Sequence, residues 1–299
     1  MRGFEFFRAI GSPRLIVAPM VDNSDLPFRL LCRRYGAQLC YTPMISSEIF
    51  NKHVNLRDKA FQECNEDRPV IVQFCGDSPE LLVSAAKMVE GKCDAVDLNF
   101  GCPQGIARKG HYGAYLLEEP EVIRSIVRAM SDNVNLPITC KIRVRNTLQE
   151  TLEIVQILLE SGASMITVHG RKCAEKGEHI LSCNWDWIRE IVQYVDKRIP
   201  IIANGGIESV SDIESCMQYT GCDGIMVSEA ILDFPAFFQN AANPNSNLTP
   251  NLSFQTQLAL EYLSLFQQHS YETHDPRFKF AKHHLNKILH RFIEVSLND

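Results

Sequence analysis

A cysteine followed by a proline ends an apolar run in the stretch DLNFGCPQGIARKGHYGAYL (97–116). An unperturbed thiol, with a pKa of ~8.5, is mostly protonated near neutral pH, so Cys102 is a candidate proton donor. The nearby cations Arg108 and Lys109 would favour the thiolate if they approached the sulfur. A donor role therefore predicts that they point toward a polyanion instead. Tyr112 and the glycines around it are typical of a flap that closes over a substrate.

Other polar residues also stand at the ends of short apolar runs. Lys141 lies inside ITCKIRV, and a buried ammonium is costly unless it meets an anion or an electron-rich group. A flavin ring is such a group, because its reduction places negative charge near N1. We expect His169 to donate to the same ring or its phosphate, and Gln73 to contact the polar edge of the flavin. The full set of run-end residues is Pro19, Met20, Gln73, Asn99, Cys102, Lys141, His169, Asn204, Gly205, Gly206, Ser228 and Glu229.

Two glycines indicate where a phosphate would bind. Gly205 and Gly206 follow the run PIIAN, and glycine lets the main chain approach an anion closely. An ordinary turn between a strand and a helix also uses glycine. The two glycines indicate a phosphate site more strongly only if the run is one of the last two strands of a barrel, where phosphates are commonly bound.

Eight β-rich runs, with helix-like segments between most of them, must position these residues. The runs are LIVAPMV (15–21), LCYTPMI (39–45), PVIVQFCG (69–76), AVDLNFGCP (95–103), ITCKIRV (138–144), MITVHG (165–170), PIIANGGI (200–207) and GIMVSEA (224–230). Their continuous apolar character fits parallel strands buried on both faces. Eight βα units in about 240 residues predict an α/β fold, a (β/α)8 TIM barrel. A doubly wound open sheet is the alternative, but no G-x-G-x-x-G or Walker A loop supports it.

The chain after the barrel changes character. Residues 1–240 are predicted to form the barrel, the Asn- and Pro-rich stretch 241–253 a linker, and residues 254–299 a small helical domain. Between residues 276 and 293 there are five Lys or Arg residues, three His and no acid. Helical periodicity places Lys279, Lys282, His283, Lys287 and Arg291 largely on one face, opposite Ala281, Leu285, Ile288 and Phe292. Such a basic face predicts binding to RNA phosphates.

Composition limits the remaining classes of function. With 45% hydrophobic and 22% charged residues, the sequence is typical of a globular protein, and no apolar run approaches the ~20 residues that span a bilayer. The net charge of −6 disfavours non-specific nucleic-acid binding, so an RNA site must be a local patch. Eleven cysteines without a C-x-x-C pair argue against a zinc site and for a reducing compartment. We therefore expect no metal, no membrane association, and the cytoplasm, with the nucleus as a second location.

Several segments, taken in order, carry a resemblance to a known family. VAPMVDNSDLPFR, YTPMI, VQFCG, DLNFGCPQ, GHYGAYL, KIRV, TVHGR and IIANGGI resemble the dihydrouridine synthases, from about Leu15 to Phe238. GHYGAYL, VDNSDLPFR and the SEA turn look most like the eukaryotic branch that acts on tRNA positions 16 and 17. Glu229 stands where many members have an arginine near the FMN phosphate, and NGGI stands where that branch more often has NGNI.

The resemblance implies an FMN-dependent reduction of the uridine C5=C6 bond in the tRNA D-loop, with NADPH or NADH as the reductant. Cys102 would give a proton to C5 and Asn99 would orient the uracil. The implied tRNA contacts are Arg108, Lys109, Tyr112, Lys279, Lys282, Lys287 and Arg291. The implied FMN contacts are Pro19, Met20, Val21, Gln73, Lys141, His169, Asn204, Gly205, Gly206, Ser228 and Glu229. The partner would be the D-loop and elbow of tRNA, and the protein is expected to be a monomer.

Three other functions are compatible with parts of this pattern. A small-molecule flavin barrel similar to dihydroorotate dehydrogenase would share the phosphate site but would not need a basic helical appendage. A non-catalytic RNA-binding barrel would need neither flavin nor Cys102. A metal-dependent barrel enzyme is disfavoured, because no cluster of His and carboxylates ends the runs.

Overall fold

The protein folds as a parallel β-barrel surrounded by helices. The structure, a computed structural model, describes residues 2–175, 182–243, 245–269 and 278–296. The strands are β1 Leu15–Val17, β2 Leu39–Tyr41, β3 Ile45–Ser46, β4 Val70–Cys75, β5 Ala95–Phe100, β6 Ile138–Arg143, β7 Met165–His169, β8 Ile201–Asn204 and β9 Gly224–Val227.

Strand pairing closes the sheet on itself. β1 pairs in parallel with both β2 and β9, and β2 also pairs with β4. Eight strands therefore form a ring, which confirms the predicted (β/α)8 barrel over the open sheet. The short β3 lies outside the ring on the end of β4. The predicted run 39–45 is thus two strands, because Pro43, which has no amide hydrogen to donate, interrupts it.

Helices cover the outside of the ring. They are α1 Gly3–Ala9, α2 Leu26–Arg34, α3 Ser47–Lys52, α4 Val54–Ala60, α5 Pro79–Met88, α6 Gly105–Lys109, α7 Pro120–Asn133, α8 Leu148–Glu160, α9 Trp185–Val195, α10 Val210–Thr220, α11 Glu229–Asp233, α12 Phe237–Ala242, α13 Leu252–His269 and α14 Phe278–Ser296, with 3-10 turns at Asn65–Asp67 and Gly113–Glu118. Local sequence explains several boundaries. The Ser78 side chain caps α5, and a capping box of Thr147 and Glu150 begins α8.

Side chains along each strand alternate between the helices and the barrel interior. On β4, Val70, Val72 and Phe74 belong to the core shared with the helices, whereas Ile71 belongs to the core inside the barrel. This period of two sends every second residue inward. Gln73 therefore shares the interior with Ile71.

The lower half of the barrel interior is apolar and closed by α1. Phe6 and Phe7 are buried against interior residues such as Ile16, Ile71 and Met165. Burying each phenyl ring contributes about 1.5–3 kcal/mol. The α1 helix lies at the N-terminal end of the strands, since Gly3 contacts the backbone just before β8. The polar interior residues lie at the opposite, C-terminal end of the strands, which we call the mouth of the barrel.

The two C-terminal helices are docked on the barrel through a buried histidine. His284 of α14 is fully buried; its Nε2 lies 2.8 Å from Asp25 Oδ1, and its ring stacks on Phe28 of α2 at 4.4 Å. The Tyr262 hydroxyl of α13 donates to the other oxygen of Asp25 at 3.0 Å. The helices of the predicted domain 254–299 are thus present, and the predicted linker 241–253 contains the break between α12 and α13. Their independence as a domain stays a prediction. None of the described helices has both the length and the apolar character needed to cross a membrane.

Candidate active site

Strand register brings the polar interior residues onto one rim of the barrel. Asn99 on β5 lies beside Lys141 on β6, Arg143 lies beside His169 on β7, and His169 lies beside Asn204 on β8. These positions are at the C-terminal ends of the strands, where barrels of this kind carry their chemistry. The sequence-based expectation that the run-end residues converge is met for these strands.

Cys102 lies just beyond β5 and is held at both of its backbone polar groups. Its amide donates to Asn99 Oδ1 at 2.9 Å, and its carbonyl accepts from the Ala114 amide at 3.0 Å. The residue is partly exposed, so the thiol is accessible at the mouth. Gly113 makes this approach possible: its φ is +72°, and a Cβ there would lie 2.6 Å from the Cys102 carbonyl oxygen.

A directed chain of hydrogen bonds connects the barrel interior to Cys102. Asn99 Oδ1 accepts the Gly101 and Cys102 amides, so its Nδ2 donates to Gln73 Oε1 at 2.8 Å. Gln73 Nε2 in turn donates to Asp97 Oδ2 at 2.8 Å. Backbone donors at one end and a carboxylate at the other fix both amide orientations.

This chain gives Gln73 and Asn99 a structural role that sequence analysis did not predict. Sequence analysis assigned Gln73 to a flavin edge and Asn99 to a uracil. In the structure Gln73 is fully buried, Asn99 is nearly so, and their amides bind each other and the backbone of the Cys102 loop. They therefore position Cys102, whatever else they touch when a ligand binds.

Asp97 anchors the chain and was not among the predicted site residues. It also accepts from Thr139 Oγ1 at 2.6 Å. Burial raises the pKa of Asp97 to about 6, although its bonds to Thr139 and Gln73 and the charge of Lys141 act in the other direction. The available sequence signal was its position two residues before Asn99, which puts both side chains on one strand face.

Cations crowd the mouth next to Cys102. Lys141 forms no hydrogen bond or ion pair within the described part of the chain. Burial, helped by the charge of Arg143, lowers the pKa of Lys141 to about 8. Burial also lowers the pKa of His169 well below its usual value, and the charges of Lys141, Arg143 and Arg171 add to the effect. Arg171 Nη1 lies 3.4 Å from His169 Nε2; because an arginine only donates, that nitrogen accepts and the ring is neutral.

Arg143 and Arg171 were missed by sequence analysis. Arg143 Nε donates to the Gly101 carbonyl at 2.9 Å, which ties β6 to the Cys102 loop. The sequence signal for Arg143 was again strand alternation, because Arg143 comes two residues after Lys141 on the same strand. Arg171 lies two residues beyond the end of β7. A neutral histidine and cations of this density make the mouth a site for an anionic, electron-rich ligand.

Two glycines after β8 form a cradle beside these cations. Gly205 has φ +98°, and a Cβ there would lie 2.7 Å from the His169 ring; Gly206 has φ +74° and would meet Cys183 at 2.9 Å. Asn204 Nδ2 donates to the Met226 carbonyl at 2.9 Å, which fixes β8 to β9 at this level. A cavity of about 90 Å³ is lined by His169, Arg171, Asn204, Gly205, Gly206, Ile207, Glu208, Met226, Val227, Ser228 and Glu229. The residues that were predicted to bind the phosphate therefore lie next to one another in the structure.

The remaining predicted cofactor residues, which belong to the loop after β1, lie in two different places. Pro19 and Met20 are partly buried, and Met20 packs against the interior core. The Val21 side chain is 54% exposed and lines a different cavity, of about 410 Å³, between the barrel and the C-terminal helices. The walls of this larger cavity are mostly apolar and include Leu26, Pro27, Met44, Ile49, Leu56 and Phe266.

The predicted RNA-contacting residues lie in two places. Arg108 and Lys109 are exposed on α6, and their orientation toward a polyanion stays a prediction. Burial raises the pKa of Tyr112, and the charges of Cys75 and Cys102 contribute. On α14, Lys279 lies 3.8 Å from Asp22 and Lys287 lies 3.8 Å from Asp233, while Lys282 is exposed. The side chain of Arg291 lies outside what the structure describes. Within the described residues, no group of three or more His, Cys, Asp or Glu side chains is arranged to hold a metal ion.

Comparisons with known proteins point to one family. Residues 16–296 match the family model described as dihydrouridine synthase. A mouse protein named tRNA-dihydrouridine(16/17) synthase [NAD(P)(+)]-like is 40% identical over 99% of this chain and 59% of its own length. The Schizosaccharomyces pombe protein named tRNA-dihydrouridine(16/17) synthase [NAD(P)(+)] is 38% identical over 99% of this chain and 74% of its own length. The chain thus spans about three fifths to three quarters of the length of these two relatives.

Solved structures share the fold at low sequence identity. A 2-naphthoyl-CoA reductase complex aligns with a TM-score of 0.59 at 10% identity, covering 76% of this chain and 49% of that one. A putative fructose-1,6-bisphosphate aldolase from Coccidioides immitis aligns with a TM-score of 0.51 at 11% identity, covering 98% and 94%. At such identities these similarities concern the fold alone.

Proposed function

The chain belongs to the dihydrouridine synthase family, and from this we propose that it reduces the C5=C6 bond of uridine in the tRNA D-loop, at positions 16 and 17. The names of its relatives support both this reaction and NADPH or NADH as the reductant. The reaction adds a hydride to C6 and a proton to C5.

The residues at the mouth fit an FMN cofactor. Lys141, unpaired within the described residues, would face the electron-rich edge of the ring. Burial lowers the pKa of Lys141, and the charge of Arg143 adds to the effect. The cradle of Gly205 and Gly206, with His169 and Arg171, would hold the phosphate. Pro19, Met20, Asn204, Ser228 and Glu229 would complete the site. When bound, reduced FMN supplies the hydride.

Cys102 would supply the proton. Asn99 and Ala114 hold its backbone, so the sulfur has a defined position at the mouth. Proton donation leaves a thiolate, and the charges of Lys141 and Arg143 interact favourably with it. Arg108 and Lys109 of the flap are exposed to solvent.

The tRNA would contact both the mouth and the C-terminal helices. A target uridine must leave its stack to reach a barrel mouth. Arg108, Lys109 and Tyr112 lie on the flap beside Cys102, and the basic face of α14 offers Lys282 as an exposed cation. The apolar cavity between the barrel and the C-terminal helices has a size that suits an unstacked base, since ligand cavities measure about 300–1,000 Å³.

One observation carries the proposal: a thiol, an ammonium without a partner among the described residues, and a neutral histidine lie at adjacent strand ends of a closed barrel in a member of this family. The test begins with the visible spectrum of the purified protein and continues with dihydrouridine in tRNA from a deletion strain expressing it. We expect a yellow protein that restores dihydrouridine at positions 16 and 17. A colourless protein, or one that reduces free uracil or orotate but not tRNA, would overturn the proposal.

A further inference from the structure

His111 lies between two carboxylates from different parts of the barrel mouth. Its Nδ1 is 2.6 Å from Asp77 Oδ2, and its Nε2 is 2.7 Å from Glu119 Oε1. Asp77 belongs to the loop between β4 and α5, and Glu119 immediately precedes α7. A neutral imidazole has one N–H, so both contacts are donated hydrogen bonds only when the ring carries two protons.

The segment that His111 holds is the one that returns to Cys102. Two residues after His111, Gly113 brings the main chain against the Cys102 carbonyl, and the Ala114 amide donates to that carbonyl. The Tyr115 hydroxyl donates to the Pro103 carbonyl at 3.0 Å. Any displacement of residues 110–113 would therefore be transmitted to the backbone of Cys102.

The backbone of His111 does not favour this arrangement by itself. Its φ is +51°, in the left-handed region, which is unfavourable for a residue with a side chain. Backbone hydrogen bonds at the end of α6, from the His111 amide to the Arg108 carbonyl and from the Tyr112 amide to the Ala107 carbonyl, support this conformation. The contacts of the imidazole with the two carboxylates add to them.

We propose that His111 is a positioning residue, which in its doubly protonated form latches the flap 104–116 to Asp77 and Glu119 and so fixes Cys102 at the mouth. This inference rests on the proposed function, because it assigns the latch to the thiol that donates the proton.

The latch weakens as pH rises. Asp77 and Glu119 are the charged groups that face the ring, and their hydrogen bonds raise the pKa of His111 above its ordinary 6.5. A group whose folded-state pKa is raised contributes its full effect below the unfolded value and loses it as pH rises through the folded value. The latch is therefore complete below pH 6.5 and opens on the alkaline side.

Hydrogen–deuterium exchange of the flap tests the latch without any catalytic readout. Protection of residues 104–116, corrected for intrinsic exchange rates, would be followed from pH 6 to 9 in wild type, His111→Gln and His111→Arg. We expect wild type to lose protection as pH rises, the glutamine variant to be weakly protected throughout, and the arginine variant to stay protected because its charge persists. His290→Gln, which alters a histidine on α14, is the matched control and should behave as wild type. Equal protection and equal pH dependence in wild type and His111→Gln would overturn the proposal.

Kinetics on tRNA then separate this inference from the proposed function. At pH 6.5, where half-exposed ion pairs of this kind contribute modestly, kcat/KM of His111→Gln should be about two- to tenfold below wild type. The difference should close at pH 9, and His111→Arg should restore activity at both pH values. Wild type inactive on tRNA would contradict the proposed function and the latch's catalytic role. If wild type is active on tRNA but substitutions at residue 111 do not change hydrogen–deuterium exchange in the flap, the latch alone is contradicted.

Discussion

Lys141 is a residue whose position costs stability in the absence of a ligand. Its pKa falls from 10.5 to about 8 because burial and Arg143 disfavour the charged form. Since one pKa unit corresponds to about 1.4 kcal/mol, the charged side chain lowers the free energy of unfolding by up to about 3 kcal/mol near pH 7. Partial exposure of the residue reduces that figure. An anionic ligand at the mouth would remove the penalty.

We predict that Lys141→Met stabilises the flavin-free protein and abolishes flavin binding. At pH 7 the free energy of unfolding of the flavin-free variant, measured by urea denaturation, should exceed that of wild type by about 1–3 kcal/mol, because the variant lacks the desolvated charge. Between pH 8 and 10.5 the unfolded wild-type chain binds more protons at this site than the folded one, so wild-type stability rises relative to the variant and the gap closes. Lys92→Met, at an exposed position, should change neither quantity. A flavin-free Lys141→Met protein less stable than wild type at pH 7 would contradict this account of the mouth.

At the scale of elements, the chain Asp97–Gln73–Asn99 links β4, β5 and the Cys102 loop. Each link has its donor and acceptor fixed, so no member can be replaced without leaving its neighbours unpaired. Buried polar groups that lose a partner cost about 1–3 kcal/mol each. The same chain therefore serves both folding and the placement of the thiol.

We predict that Gln73→Leu lowers the free energy of unfolding by about 2–4 kcal/mol, because Asp97 loses a donor and Asn99 loses an acceptor. Urea denaturation measures the loss. Gln149→Leu, an exposed substitution on α8, is the matched control and should stay within about 0.5 kcal/mol of wild type. A Gln73→Leu protein as stable as wild type would show that the chain is not a structural element.

The elements themselves were largely predictable, and the interactions between them were not. Continuous apolar runs identified all eight barrel strands, since buried parallel strands leave that pattern in sequence. The hydrogen bond of Gln73 to Asp97 depends on the register between two strands, which no local pattern specifies. Asp97 and Arg143 were overlooked although strand alternation places them beside Asn99 and Lys141. The closure of the barrel floor by α1 was also unforeseen, because the N-terminal residues carry no chemistry.

At the scale of the whole molecule, the positively charged side chains of α14 contrast with the overall negative charge of the protein. The protein carries a net charge of −6, yet the exposed side of α14 is basic, and α14 contributes Lys279 and Phe280 to the wall of the apolar cavity. Of the predicted α14 cations with described side chains, Lys279 and Lys287 lie near carboxylates, and Lys282 is exposed. Lys282 is thus the cation whose reversal should perturb RNA binding without disturbing an ion pair between described residues.

We predict that Lys282→Glu weakens tRNA binding and reduces the slope of log K against log salt by about 1, as expected for one lost phosphate contact. Flavin content and thermal stability should be unchanged. Lys92→Glu makes the same charge change at an exposed position before β5, at the other end of the barrel, and should leave the slope unaltered. Equal salt slopes for Lys282→Glu and wild type would exclude this face of α14 from the RNA interface.

The central claim is that Cys102 gives its proton to uridine at a flavin-bearing barrel mouth. The most direct measurement is dihydrouridine formation in tRNA by purified wild type and Cys102→Ala, each loaded with flavin and reduced by NADPH before mixing. The account predicts equal flavin content and equal reduction by NADPH, with dihydrouridine formed about 10²- to 10⁴-fold more slowly by the alanine variant, as for the loss of a general acid. Dihydrouridine formed by Cys102→Ala at the wild-type rate would contradict it.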